Sequence, residues 1–120
     1  MEYKLSENQT ITTDKLKVYE SIDDWRADGT KKYGDVLNWK IKCPMCGHIA
    51  TVKEYKDAGA DSPDYAIQNC IGRLTGKGSP KKGDNSGCNW TANGLFGIPK
   101  GGVLVKMPSG YYAHIFEFAD

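Results

Sequence analysis

The side chains best suited to chemistry in this 120-residue sequence are its four cysteines. Cys43 and Cys46 lie in the run Cys43-Pro44-Met45-Cys46-Gly47-His48; Cys70 follows after 23 intervening residues and Cys88 after 17 more. A C-x-x-C turn closed by glycine lets two thiolates converge while backbone N–H groups point at the sulfurs, the arrangement of a zinc knuckle. One knuckle supplies half of a closed tetrahedral site, and the gaps to Cys70 and Cys88 are long enough for both to return to it. The expectation is a structural zinc ion held by Cys43, Cys46, Cys70 and Cys88. The spacing is not that of a ribbon, because the second pair is split.

Other chemistries fit less well. Cys70 could be a core thiol and Cys88 a surface one, leaving His48 as a ligand in place of a cysteine. The C-P-x-C order also suits a thioredoxin-type redox pair, but that chemistry wants the first thiol at a helix N-terminus, and here the flanks read as strands. Four thiolates leave no coordination position for water, which argues against a catalytic zinc. A zinc deaminase needs a His-x-Glu and a Pro before its Cys-x-x-Cys, and neither is present. His114 alternates with Tyr112, Phe116 and Phe118 and reads as a packed or surface residue. Gly72–Gly78 resembles a phosphate loop only superficially. The expectation is a protein that is not an enzyme.

The elements that must position these cysteines follow from the pattern around them. Leu37, Trp39, Ile41 and Cys43 alternate with polar residues, a half-buried strand entering the knuckle. Ile49 to Tyr55 reads as the returning strand. Ser62-Pro63-Asp64 reads as a helix start, with Ala66, Ile67, Cys70, Ile71 and Leu74 on one stripe, so that Cys70 points inward from a helix. Upstream, Lys15–Tyr19 reads as a strand and Ser21 as an N-cap. Ile22, Trp25, Gly29 and Tyr33 share one helix face, with Gly34 as the stop. Residues 75–88 read as a loop. After Gly94 apolar character returns, and Val103–Met107 with Tyr111–Phe118 reads as a closing hairpin whose second strand is central. Together these predict a small single α+β domain spanning residues 1–120, with a zinc-knuckle hairpin, two short helices and a C-terminal hairpin around one four-cysteine site.

Composition narrows the partners. The formal net charge is +1, which excludes wholesale DNA mimicry and a histone-like protein. No apolar run suits a bilayer, and the first ten residues do not read as a secretory signal, so the expectation is a cytoplasmic protein without a membrane role. The charge is unevenly spread. Residues 73–106 hold six basic side chains against one acidic, among them Arg73, Lys77, Lys81, Lys82 and Lys100. The lysines suit phosphate contacts or a solvated loop. Trp90 could stack on a base or pack over the metal site, and packing is the simpler reading. Glu20, Asp23, Asp24 and Asp28 form an acidic run near a helix start, suited either to a basic partner or simply to the helix dipole.

Trp25-Arg26, Gly34, Trp39, Cys43-Pro44-x-Cys46-Gly47-His48, Gln68-x-Cys70-Ile71-Gly72-Arg73, Gly87-Cys88 and Gly94-Leu95 together resemble a group of small zinc-binding proteins of phages and prophages. The resemblance covers about residues 21–98. It implies a structural role for the four cysteines. Some proteins of this appearance inhibit type II RNA-guided CRISPR nucleases, which implies a protein partner of that kind. A nucleic-acid-binding zinc protein using segment 73–106 is the alternative.

Overall fold

In a computed structural model, residues 1–92, 98 and 101–119 are described. Leu95 and Lys100 lie outside them, while of the expected return of apolar character after Gly94 the described residues Ile98, Val103, Leu104 and Val105 are buried. The architecture is α+β, with three short helices and three small sheets among the described residues. None of the described helices is long and apolar enough to cross a membrane.

The chain opens with a hairpin of β1 (Glu2–Ser6) and β2 (Gln9–Thr12). It leans on the C-terminal hairpin, where Tyr3 meets Tyr112 edge-on at 5.0 Å. β3 (Lys17–Tyr19) then leads into α1 (Ile22–Tyr33). The expected caps are both present. The Ser21 hydroxyl accepts from the Asp24 N–H at 3.0 Å, and Gly34, at φ 78°, donates its N–H to the Thr30 carbonyl. Helix α1 runs unbroken through Gly29, which is buried because the Trp39 and Phe118 rings close directly over it. The glycine admits side chains rather than a neighbouring backbone.

A 3-10 turn (Val36–Asn38) precedes β4 (Lys40–Lys42), which pairs antiparallel with β5 (Ile49–Thr51) across the Cys43–His48 turn. β5 is shorter than expected. At Thr51 the chain becomes α2 (Val52–Asp57), because Thr51 and Glu54 form a reciprocal capping box. The helix expected from Ser62 is also corrected. Pro63–Ile67 is a 3-10 turn, and α3 is the separate short helix Gly72–Thr75. Residues 68–70 instead pair with 90–92: Ala92 donates to the Gln68 carbonyl, Cys70 donates to the Trp90 carbonyl, and Asn69 bridges Thr91. Those tertiary hydrogen bonds replace the helical ones.

β6 (Val103–Lys106) and β7 (Tyr112–Ile115) form the closing hairpin, and β6 also pairs in parallel with β3. The central strand is therefore β6, not the second strand of the hairpin. At fully buried Phe116 the chain leaves this sheet, its N–H going to the Ile67 carbonyl at 2.8 Å. β8 (Glu117–Phe118) then joins the edge of β4 in the knuckle sheet. That crossover ties together the two apolar clusters. One surrounds Val103, Val105 and Ile115; the other contains Trp39, Ile41, Phe116, Phe118 and three of the cysteines.

Candidate metal centre

Each cysteine is delivered by an element whose hydrogen bonds fix it. Cys43 directly follows β4, and its N–H donates to the His48 carbonyl at 2.9 Å. Gly47, at φ 79°, donates to the Cys43 carbonyl and turns the chain so that the His48 N–H faces the Cys46 sulfur at 3.5 Å. Only glycine adopts that conformation without strain. Cys70 sits just before α3, not on a helix stripe, and the Cys88 N–H reaches its sulfur at 3.4 Å. Gly72 packs against the Cys88 backbone, which brings these two cysteines together from 18 positions apart in sequence.

All four Sγ atoms lie within 4.8 Å of one another. Cys43 Sγ is 3.8 Å from Cys88 Sγ, and Cys46 Sγ is 3.7 Å from Cys70 Sγ. These separations are far too long for disulfide bonds. They match the edge of a tetrahedron of sulfurs about 2.3 Å from a central zinc, which is about 3.8 Å. Cys43, Cys70 and Cys88 are buried at 2%, 1% and 0% exposure, while Cys46 is half-buried. The cluster could therefore hold a metal ion.

The electrostatics agree with such a site. Without an ion, the buried sulfurs compete for protons. A hydrogen bond to Cys70, with burial added, raises the Cys43 thiol. The same bond, with N–H donation from Gly72 and Cys88, lowers Cys70. Burial raises Cys88, though the Trp90 N–H works against it. Backbone donors thus already point at sulfur, as thiolates require. Burial, and then the negative fields of Cys70 and Cys43, also raise the Tyr55 hydroxyl, which donates to the Asn69 carbonyl at 2.7 Å. Tyr55 is a positioning residue for the Cys70 segment. It was hidden in the sequence because it reads there as a strand residue.

His48 is not in the sulfur cluster. Its Nδ1 lies 3.0 Å from the Asn85 carbonyl, so it ties the basic loop to the knuckle. Trp90 stacks on Phe116, with ring centroids 5.7 Å apart, in the core beside the cysteines. Residues 21–119 match the VVA0879-like family profile.

The chain belongs to the VVA0879-like family. No curated protein and no solved structure matches it. The span matched to the VVA0879-like family contains all four cysteines and the aromatic packing around them, and it leaves out β1, β2 and β3.

The other sequence-predicted site residues are dispersed. Glu20, Asp23 and Asp24 are exposed around the start of α1, where Glu20 accepts from the Tyr112 hydroxyl at 3.1 Å. Asp28 points back into the fold, where it accepts a short hydrogen bond from the Tyr19 hydroxyl and one from Lys17 at 3.3 Å. Burial raises its carboxyl, but those two donors outweigh burial and lower it overall. Lys77, Lys81 and Lys82 are exposed. Lys81–Asp84 is a turn closed by the Asp84 N–H on the Lys81 carbonyl, with Gly83 at φ 80°. It sets Lys81 and Lys82 along a cleft shared with Met45 and Cys46.

Proposed function

We propose that this chain is a non-catalytic binding module whose fold is held by one structural zinc ion on Cys43, Cys46, Cys70 and Cys88. The observation that carries the reading is the sulfur quartet, three of its cysteines buried, with its 3.7 and 3.8 Å separations. Four thiolates complete a tetrahedral shell and leave no position for an activated water, so the ion supplies folding energy rather than Lewis acidity. Sulfur-only tetrahedral sites select zinc or iron. Elemental analysis of purified protein should find about one zinc per chain, and a strong chelator should abolish the cooperative thermal transition. Iron in place of zinc, or an unchanged melting curve after complete metal removal, would overturn it.

The partner we propose is a protein, and specifically a type II RNA-guided CRISPR nuclease, with the chain acting as a phage-encoded inhibitor in the bacterial cytoplasm. The sequence resemblance supports this reading. So does the exposed acidic group Glu20, Asp23 and Asp24, which suits the basic channels of such nucleases. Asp28 is left out because it is half-buried and its carboxylate is held by both Tyr19 and Lys17. Zinc-loaded protein should bind a type II effector and slow its DNA cleavage, and D23K/D24K should weaken both effects. Absence of binding and inhibition by the wild type would dismiss this partner and leave the zinc reading intact.

One observation favours a second reading, a nucleic-acid-binding module. The Lys81–Asp84 turn holds Lys81 and Lys82 beside the knuckle, near Lys77 on the same loop. It predicts affinity for single-stranded DNA or RNA that falls steeply with salt, with a shallower slope in K77A/K81A/K82A.

A further inference from the structure

The four cysteines are not equally sheltered. Cys43, Cys70 and Cys88 are buried, whereas Cys46 is half-buried. Cys46 and its neighbour Met45 line an open cleft of about 390 Å³, together with Pro80, Lys81, Lys82 and Asn85. Solvent therefore comes up to the sulfur cluster on the Cys46 side.

Hydrogen bonding divides the sulfurs in the same way. Backbone N–H groups of Cys46 and Met45 point at the Cys43 sulfur, and those of Gly72 and Cys88 at the Cys70 sulfur. The donor on the Cys46 sulfur is the His48 N–H, at 3.5 Å. Each donor draws charge from a thiolate and burial keeps reagents away, so reactivity follows exposure and undiminished charge. Cys88, which takes the Trp90 N–H, is fully buried. Cys46 is thus the most open sulfur of the set. A second sulfur is already in contact with it: Cys70 Sγ lies 3.7 Å from Cys46 Sγ, on the segment just before α3.

Building on the structural-zinc reading, we infer that the sulfur cluster is an oxidation site, entered at Cys46, where hydrogen peroxide joins Cys46 to Cys70 and ends metal binding. In the first step the Cys46 thiolate attacks peroxide. An S–O bond forms, the O–O bond breaks and hydroxide leaves, giving a sulfenic acid. In the second the Cys70 thiolate attacks that sulfur, the S–S bond forms and a second hydroxide leaves. Two thiolates have then given two electrons to one peroxide. Cys43 and Cys88 cannot complete a tetrahedral shell by themselves, so the chain gives up its ion. The new bond still ties the knuckle to the α3 segment, and a thiol reductant with zinc restores the original site.

The test starts from the metal-loaded chain, with its zinc content measured first. A chain that holds no zinc would defeat the metal reading, and this inference with it. With zinc present, limiting N-ethylmaleimide followed by peptide mass mapping should label Cys46 about tenfold faster than any other cysteine. Hydrogen peroxide should release zinc to a chromogenic chelator in step with one disulfide that maps to Cys46 and Cys70. Dithiothreitol with added zinc should return the starting protein. Cys46→His keeps a ligand set of three cysteines and one histidine, and it should slow peroxide-driven release about tenfold. If that variant does not hold zinc, the wild-type labelling order and disulfide map decide. Zinc-loaded protein in which another cysteine is labelled first, all four react together, or peroxide joins a different pair would overturn the proposal.

Discussion

Gly72 and Cys88 meet backbone to backbone: a Cβ added to Gly72 would lie 2.5 Å from the Cys88 nitrogen and closer still to its carbonyl oxygen. This contact holds the two late cysteines together, since the Cys88 N–H bonds the Cys70 sulfur and the Gly72 N–H points at the same atom. Gly72→Ala should therefore act as a metal-site mutation although the added methyl meets backbone rather than sulfur. The clash is with backbone, which cannot rotate away, so the expected loss is about 3 kcal/mol or more, with weakened metal retention. Thermal melts and a competitive chelator titration would read both effects. A variant with wild-type melting and metal affinity would show that the contact is dispensable.

His48→Ala separates a ligand from a neighbour. The ring nitrogen engages the Asn85 carbonyl, so its removal should loosen the Lys81–Ser86 loop by about 1 kcal/mol. Full metal stoichiometry should remain, with the cobalt-substituted protein showing an unchanged all-thiolate visible spectrum. Loss of the ion or a spectral shift would place His48 in the coordination shell.

The sequence pattern makes the Cys43–Cys46 half of the sulfur cluster and the first helix legible because both are local. A C-x-x-C-G turn and a Ser21–Gly34 capped helix carry their own hydrogen-bond logic over a few residues. The misread segments were decided by partners distant in sequence. Residues 68–70 leave the helix because 90–92 take their hydrogen bonds, and the last strand divides because the Phe116 N–H goes to Ile67. The N-terminal hairpin has little apolar content to announce it. Its Tyr3 finds its partner in Tyr112 at the far end of the chain. The α2 start is different. Thr51-x-x-Glu54 was a readable capping box, masked by the β-branched run around it.

Gly29 offers a second packing test, remote from the sulfurs. A Cβ there would fall 2.8 Å from the Trp39 ring and 2.9 Å from Phe118. Alanine improves helix propensity by about 1 kcal/mol, while overpacking two large rings costs about 1–3 kcal/mol. Gly29→Ala should lower the melting temperature and leave metal content unchanged. A stabilised variant would mean that the aromatic cluster repacks freely.

Burial lowers the His114 imidazole below its usual value, and the bond from its ring to the Gly101 carbonyl offsets this only in part. The folded state therefore prefers the neutral ring. The stability it contributes is present above the unfolded value of about 6.5 and is lost as pH falls through that value toward the lower folded one. His114→Gln keeps an N–H donor for Gly101 and cannot titrate. The drop in melting temperature from pH 7.5 to 5.5 should be smaller in this variant than in the wild type. Equal drops would show that His114 does not titrate with folding.

Zinc-edge X-ray absorption on the purified chain is the most direct measurement of the central claim. The sulfur geometry predicts a first shell of four sulfur atoms at about 2.3 Å with no lighter scatterer. A nitrogen or oxygen neighbour at about 2.0 Å in that shell, or a chain that takes up no zinc, would contradict it.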